Sequence, residues 1–384
     1  MADPSTSPPL TRASVQEALK LIEPYIHKTP VLTNTMLSKL ASTPRTPAEL
    51  EGTPWAGRTP AKPVIRLWFK CENFQRIGAF KIRGAFHAIE RLKREPAWTD
   101  NGGREKGLVT HSSGNHAQAL ALAARENNIP AYIVMPTISA APKIAATKGY
   151  GAHVIFSGST SVEREAAAAK VIQATGARLV PPYDHPDIML GQGTLGLELQ
   201  DQVSSALASS SPYSSLAPAS QLHAGLNAII APCGGGGMLS GVALSCEATG
   251  IRVFGAEPSY EGADDCTRGY YAGKRIESVK SLTIADGLRT PVGVYPWSVI
   301  YERRLVSGMY SVSETQIAAA LRLVYERCKL VVEPSAVVGL AVALYNEDFR
   351  AMVEKEAGDE GWDLGVVFSG GNVSLEALGK LFSS

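Results

Sequence analysis

Four consecutive glycines, Gly234 to Gly237, constrain this chain more than any other feature. They follow the apolar, β-prone run Ile229-Ile230-Ala231-Pro232-Cys233 and precede the small-residue run Met238-Leu239-Ser240-Gly241-Val242-Ala243. A glycine run wedged between a strand and a helix reads as a strand-to-helix turn rather than a flexible linker. Backbone without side chains lets several N–H groups converge on one anion at the positive end of a helix dipole. No Gly-Lys-Ser/Thr follows, which excludes a Walker A loop, and the dinucleotide pattern Gly-x-Gly-x-x-Gly is met only trivially. A monophosphate therefore fits better than a dinucleotide.

The surrounding pattern predicts an α/β fold. From Gly107 onward short β-rich runs (108–110, 131–135, 152–156) alternate with helical stretches (about 115–127, 142–148 and up to 174). The alternation resumes at 226–231, passes through the glycine loop and a second strand at 251–256, and closes with helices near 313–328 and 335–346 and a strand at 364–368. Such alternation builds βαβ units around a parallel sheet. Upstream, Ser14 and Glu17 form a Ser-x-x-Glu capping box that predicts a helix from Ser14 to about Ile26, ended by Thr29-Pro30. The Pro/Ser-rich residues 1–12 read as a disordered tail. Segments 41–63 and 204–220, rich in Ala, Ser, Thr and Pro, read as surface insertions.

Composition narrows the function. With 45% hydrophobic residues the 384-residue chain can bury a large core, and a formal charge of +1 leaves no electrostatic footprint for nucleic acid or an anionic membrane. Small molecules or further copies of the chain are the expected partners. Five scattered cysteines, never spaced as Cys-x-x-Cys, indicate neither a disulfide framework nor a zinc knuckle and point to buried free thiols in a reducing compartment. The N-terminus lacks the apolar core of a signal peptide, no apolar run reaches membrane-spanning length, and a cytoplasmic location is expected.

Three further segments carry chemistry. Lys81 stands near the start of an apolar helix between Phe80 and Ile82, where desolvation lowers an amine's pKa and frees it for Schiff-base formation. Arg83 is either a solvated neighbour or an ion-pair partner. Ser112-Ser113-Gly114-Asn115-His116 lies between a strand and a helix, so its N–H groups suit a substrate carboxylate, although simple N-capping is an equal account of Ser113 and Asn115. Ser369-Gly370-Gly371-Asn372 follows a strand in the same way.

These motifs, in this order and at comparable spacing, resemble those of the fold-type II pyridoxal 5′-phosphate (PLP) enzymes, in particular the serine racemase and serine/threonine dehydratase group. The resemblance spans about residues 13–378. It implies a tryptophan synthase β-like architecture of two open twisted α/β domains with the cofactor between them. Residues 13–106 plus 188–384 would form the large domain, and 107–187 a small mobile one. By resemblance Lys81 is the Schiff-base lysine, Phe80 packs beside the ring, and Gly234, Gly235, Gly236, Gly237 and the Met238 amide hold the phosphate. Asn115 would bond the phenolic oxygen, Ser369 would face the pyridine nitrogen, and Glu333 would lie near the ring. Ser112, Ser113, Gly114, Asn115 and His116 would hold the substrate carboxylate.

The same resemblance implies serine racemisation with accompanying L-serine or threonine dehydration to a keto acid and ammonia. Lys81 would serve one face of the substrate and Ser113 the other, with Arg164 and Glu165 supporting that second face. A dehydratase of threonine or 3-hydroxyaspartate, a racemase of another amino acid, and a PLP-holding sensor without turnover remain open. Glu257, Ala263 and Asp265 resemble the group's Mg²⁺ or Ca²⁺ site, although Tyr260-Glu261-Gly262 lengthens the loop between the acidic positions. A homodimer and ATP as an activator are likewise implied only by the resemblance. An appended amino-acid-sensing domain is not expected after the Ser369 motif.

Overall fold

The computed structural model describes residues 3–112, 114–139, 141–158, 161–209 and 225–382. Among the described residues the strands are β1 (Val31–Thr33), β2 (Ile65–Cys71), β3 (Leu108–His111), β4 (Ala131–Pro136), β5 (His153–Ser157), β6 (Arg178–Leu179), β7 (Ala228–Pro232), β8 (Arg252–Pro258), β9 (Gly308–Val312) and β10 (Trp362–Phe368). Six form one sheet in the order β1-β2-β10-β7-β8-β9, and four form a second in the order β5-β4-β3-β6. Every pairing is parallel except that of β1 with β2.

Burial follows strand position. The central strands β7 and β10 are buried along their whole length, as parallel strands covered by helices on both faces must be. The outer strand β5 is exposed or half-buried throughout. Leu364, Val366 and Phe368 of β10 enter one core with Leu67 and Phe69 of β2 and the 334–344 segment. Val367 faces the other side, toward Leu239 and Leu195.

The helix Pro186–Ser209 packs against the helices Gly237–Ser245 and Lys81–Leu92 at very short range. A Cβ on Gly193 would stand 2.5 Å from the Gly241 carbonyl oxygen, and one on Gly191 2.8 Å from that of Arg83. Small residues here let the lysine-bearing helix and the glycine-loop helix share one central support.

Several boundaries differ from the sequence reading. The first helix runs Arg12–Ile22 and is capped by the Thr11 hydroxyl accepting from the Ser14 amide, so Ser14 lies inside the helix rather than before it. In the N-terminal segment read as a disordered tail, Pro4–Thr6 forms a short turn of helix, and Thr6 donates to Glu95 at 2.9 Å. The 41–63 segment is tethered through Arg350, which is fully buried and donates to the carbonyls of Ala41, Thr43 and Ala61. Residues 204–209 complete the long helix, and the rest of the expected 204–220 insertion lies outside the described residues. Strand β9 carries no strong alternation in its sequence, Gly-Met-Tyr-Ser-Val, and the sequence reading passed over it. Among the described residues no helix is long and apolar enough to cross a membrane.

Candidate active site

Parallel strands deliver their carboxyl ends to one edge of a sheet, and ligands of α/β proteins gather there. Cys233 and the glycine loop follow β7, Ser369 follows β10, and Ser112 to Asn115 follow β3. The four segments singled out in the sequence therefore arise at strand ends or, for Lys81, at a helix start.

Hydrogen bonds stitch them together. The Phe80 amide donates to the Ser369 carbonyl at 3.1 Å, and the Gly371 amide to the Gly78 carbonyl at 2.9 Å. The Glu333 amide donates to the Gly370 carbonyl at 3.0 Å, which brings the 332–335 segment to the same place. Asn115 then reads across the cleft: its Nδ2 donates to Glu333 Oε1 at 2.8 Å and its Oδ1 accepts from Asn372 Nδ2 at 2.8 Å. Asn372 also donates to the carbonyl of Ile77 at 2.7 Å. Ile77 holds φ at 62°, a left-handed conformation that costs a β-branched residue energy and that surrounding contacts must impose.

Lys81 begins its helix half-buried, and its Nζ donates to the Pro182 carbonyl at 2.7 Å. Burial brings its pKa down to about 8, with the Glu333 carboxylate opposing the shift. Burial likewise pushes Glu333 up to about 8. An amine with so low a pKa has a large neutral fraction near physiological pH, which a lysine acting as nucleophile or base requires. His116 titrates in the opposite regime: burial and the nearby Lys81 charge hold it down to about 3, and its Nε2 meets the Val180 carbonyl at 3.2 Å. A ring kept neutral shapes the turn and is no proton carrier at neutral pH.

The glycine loop is a cradle with no room for side chains. A Cβ on Gly235 would fall 2.3 Å from the Tyr183 ring, on Gly236 2.8 Å from Pro296, on Gly237 2.9 Å from the Tyr183 carbonyl oxygen, and on Gly234 3.0 Å from the backbone of Leu288. Gly236 also holds φ at +82°, which glycine adopts without strain. It caps the helix Gly237–Ser245, whose first turn, including the buried Met238, offers amides without partners inside the helix. Tyr183 and Pro182 thus connect the cradle to Lys81. Their segment is fixed by the Asp184 carboxylate, which accepts from the Val294 and Tyr295 amides at 3.0 and 2.9 Å. Anion cradle, activated amine and the Asn115 bridge suit a ligand that carries a phosphate at one end and a carbonyl at the other.

Other expected residues are placed as follows. The Ser112 amide extends the β3–β4 ladder to the Val134 carbonyl, and its hydroxyl accepts from the Gly114 amide at 3.3 Å. Ser113 lies outside the described residues. Arg164 and Glu165, on the helix Ser161–Thr175, both act electrostatically on His111 at the end of β3. Glu257 is fully buried at the end of β8, and Asp265 opens the helix Asp265–Ala272 beside the buried Ala263. Burial pushes both carboxyls up, Asp265 to about 6, and the Asp265 charge adds to the rise at Glu257. Asp265 Oδ2 accepts from the Val292 amide at 3.0 Å, while Oδ1 is buried with no hydrogen-bond partner among the described residues.

Sequence reasoning passed over Pro182, Tyr183 and the role of Asn372. No periodic signal marks Pro181-Pro182-Tyr183, whereas Asn372 stood at the end of a motif already noted and its reach to Asn115 depends on the fold.

The chain is similar to known proteins over nearly its whole length. A serine racemase of Arabidopsis thaliana is 40% identical over 373 residues, 97% of this chain and 96% of that protein. An L-threo-3-hydroxyaspartate ammonia-lyase of Saccharomyces cerevisiae is 36% identical over 97% of this chain and 96% of its own length. The solved structure of maize serine racemase superposes with a TM-score of 0.78 at 38% identity, covering 96% of both chains. The family model for pyridoxal-phosphate dependent enzymes matches residues 50–369, and the chain belongs to that family.

Proposed function

We propose that this enzyme is a serine racemase that also dehydrates L-serine, and threonine, to a keto acid and ammonia. The observation that carries the reading is the Lys81 amine, brought to a pKa of about 8 by burial and set beside the Glu333–Asn115–Asn372 chain. The similarity to serine racemases over nearly the whole chain supports it.

Bound pyridoxal phosphate supplies an electron-withdrawing ring that eases loss of the α-proton from an attached amino acid. In this reading Gly234 to Gly237 and the Met238 amide hold the phosphate, Phe80 flanks the ring, Asn115 bonds its phenolic oxygen, Ser369 faces its nitrogen and Glu333 lies near it. The Ser112–His116 turn holds the substrate carboxylate. Lys81 takes the α-proton from one face. Return of a proton by Ser113 from the opposite face inverts the carbon, whereas departure of the β-hydroxyl as water gives an aminoacrylate that, once released, is hydrolysed to the keto acid and ammonia. Residues 107–187 act as a small domain that closes over the substrate and keeps water out.

Glu257, the Ala263 carbonyl and Asp265 are proposed to hold Mg²⁺ or Ca²⁺. Two carboxyls buried together, one with an orphaned oxygen, suit a hard cation that repays their desolvation. A homodimer, a cytoplasmic location and activation by ATP complete the proposal on the resemblance to the racemase group. The yeast relative supports a second reading, an ammonia-lyase acting on 3-hydroxyaspartate.

The test is to incubate the purified protein with L-serine, PLP, Mg²⁺ and ATP, separate the serine enantiomers chromatographically and quantify pyruvate in the same sample. D-serine with pyruvate is expected. Pyruvate alone leaves a dehydratase, and neither product moves the assignment to 3-hydroxyaspartate. Lys81→Ala is expected to abolish turnover together with the visible absorbance of lysine-bound cofactor, and Ser113→Ala to suppress D-serine while pyruvate persists.

A further inference from the structure

At the root of the glycine loop lie two thiols that the reaction above leaves unused. β7 and β8 run parallel with Pro232 beside Ala256, and the Cys233 amide continues the ladder to the Ala256 carbonyl at 2.8 Å. One step further in that register sets Cys233 beside Glu257, and side chains paired across a ladder share a face. Glu257 reaches on to the next helix, accepting from the Cys266 amide at 3.2 Å and from the Thr267 amide and hydroxyl, each at 2.7 Å. Cys233 Sγ, Cys266 Sγ and a Glu257 carboxylate oxygen consequently all lie within 4.8 Å of one another, and all three residues are buried. The Cys233 thiol donates to the Gly234 carbonyl at 3.4 Å.

Two sulfurs and a carboxylate form a donor set for a borderline-soft ion. Tetrahedral zinc, with sulfur bonds of about 2.3 Å, sets its sulfur ligands about 3.8 Å apart, so the triad needs a contraction of about 1 Å or less to meet it. A second observation points the same way: Asp265, next to Cys266 in the chain, carries a buried Oδ1 with no hydrogen-bond partner among the described residues. We propose that Cys233, Cys266 and Glu257 bind a thiophilic divalent cation of the zinc or cadmium class. Each thiol releases its proton to solvent as its sulfur–metal bond forms.

This donor set differs from the all-oxygen set proposed for Mg²⁺ or Ca²⁺, yet it shares Glu257, so the two kinds of ion exclude one another. Cys233 directly precedes Gly234. A soft ion therefore ties the root of the phosphate cradle to β8 and to the helix Asp265–Ala272. The inference depends on the three ligand residues and is independent of the substrate assigned above.

The test titrates Cd²⁺ into the purified holoenzyme and follows the near-ultraviolet charge-transfer absorbance of cadmium thiolates. The band is expected to saturate at one ion per chain, to shift to higher cadmium concentration in excess Mg²⁺, and to survive Cys328→Ser. Cys233→Ser and Cys266→Ser are each expected to weaken binding by more than about tenfold. A band that persists in both variants overturns the proposal. Because serine at a buried position can compromise folding, X-ray absorption of the zinc-loaded wild-type holoenzyme provides a second reading. Two sulfurs in the coordination shell support the site, and a shell of nitrogen and oxygen alone overturns it.

Discussion

Lys81 shows how burial sets reactivity at a single residue. An exposed lysine titrates near 10.4, and removing the amine from water penalises its charged form. The Glu333 carboxylate favours the charged form, yet the balance still brings Lys81 down to about 8. The neutral amine is the reactive species, so its fraction reaches one half near pH 8 and levels off one to two units above that value. Labelling of cofactor-free protein with an amine-directed reagent, followed by mass spectrometry across pH 6 to 10, is expected to show Lys81 half-maximally reactive near pH 8 and close to its plateau toward pH 10. Solvent-exposed lysines, which titrate near 10.4, should still be climbing there. A Lys81 profile that climbs alongside theirs would show that burial does not activate it. His116, two residues beyond Gly114 in the neighbouring turn, is the counterexample: the same desolvation keeps it neutral and leaves it a structural hydrogen-bonding ring.

At the scale of the element, the lysine-bearing helix is anchored by a buried ionic cluster two residues on. Arg83 is fully buried and forks to Glu72, with Nε and Nη2 at 2.8 and 2.9 Å, and to Glu198, with Nη1 and Nη2 at 2.7 and 2.8 Å. Lys70 Nζ adds a bond of 2.7 Å to Glu198. Two cations and two anions balance, and the fork ties β2, the helix Lys81–Leu92 and the helix Pro186–Ser209 to one another. Burial tends to raise the Glu72 pKa, but the Arg83 guanidinium, together with Lys70 and the Thr29 hydroxyl, more than offsets it and holds the carboxyl below its usual range. Arg83→Met strands a carboxylate without its partner in the core, and its cost is expected to be about 3–5 kcal/mol in thermal or denaturant unfolding. Arg83→Lys keeps the charge without the planar fork and should fall between the two. A loss under about 1 kcal/mol for Arg83→Met would mean that the cluster is solvated. The sequence left Arg83 between a solvated and a paired residue because Glu72 and Glu198 lie 11 and 115 positions away. The glycine loop and the Ser112–Asn115 turn were legible, since local backbone chemistry fixes a strand-to-helix turn. Partners across the fold, such as Asn372 for Asn115 or Cys233 for Cys266, leave no local pattern.

At the scale of the whole molecule, two sheets contribute to the candidate site. The four-stranded sheet contributes Ser112, Gly114 and Asn115 beyond the end of β3, and the six-stranded sheet contributes the glycine loop and the Ser369 strand end. Polar contacts join the two sides where Asn115 meets Glu333 and Asn372, and where Lys143 pairs with Asp286 at 2.5 Å. Polar links of this kind, partly exposed to water, are weak enough to break and re-form, whereas the apolar cluster joining Ile82, Phe86 and Ile89 to Leu120, Ile133 and Met135, and the Asp184 bonds to the Val294 and Tyr295 amides, hold firm. Closure of residues 107–187 would then add carboxylate contacts from the Ser112–His116 turn only when substrate is present. α-Methylserine provides the test, because it carries the amine, carboxylate and hydroxyl of serine but has no α-proton to lose. Binding of this analogue to the holoenzyme is expected to slow amide hydrogen exchange across residues 107–187 and to reduce the radius of gyration in solution scattering. Exchange in the β7 and β10 strands, already buried on both faces, should stay unchanged. If saturating analogue leaves both measurements unaltered, residues 107–187 do not close, and water must be kept from the site by the fixed walls of Tyr183, Phe80 and the glycine loop alone.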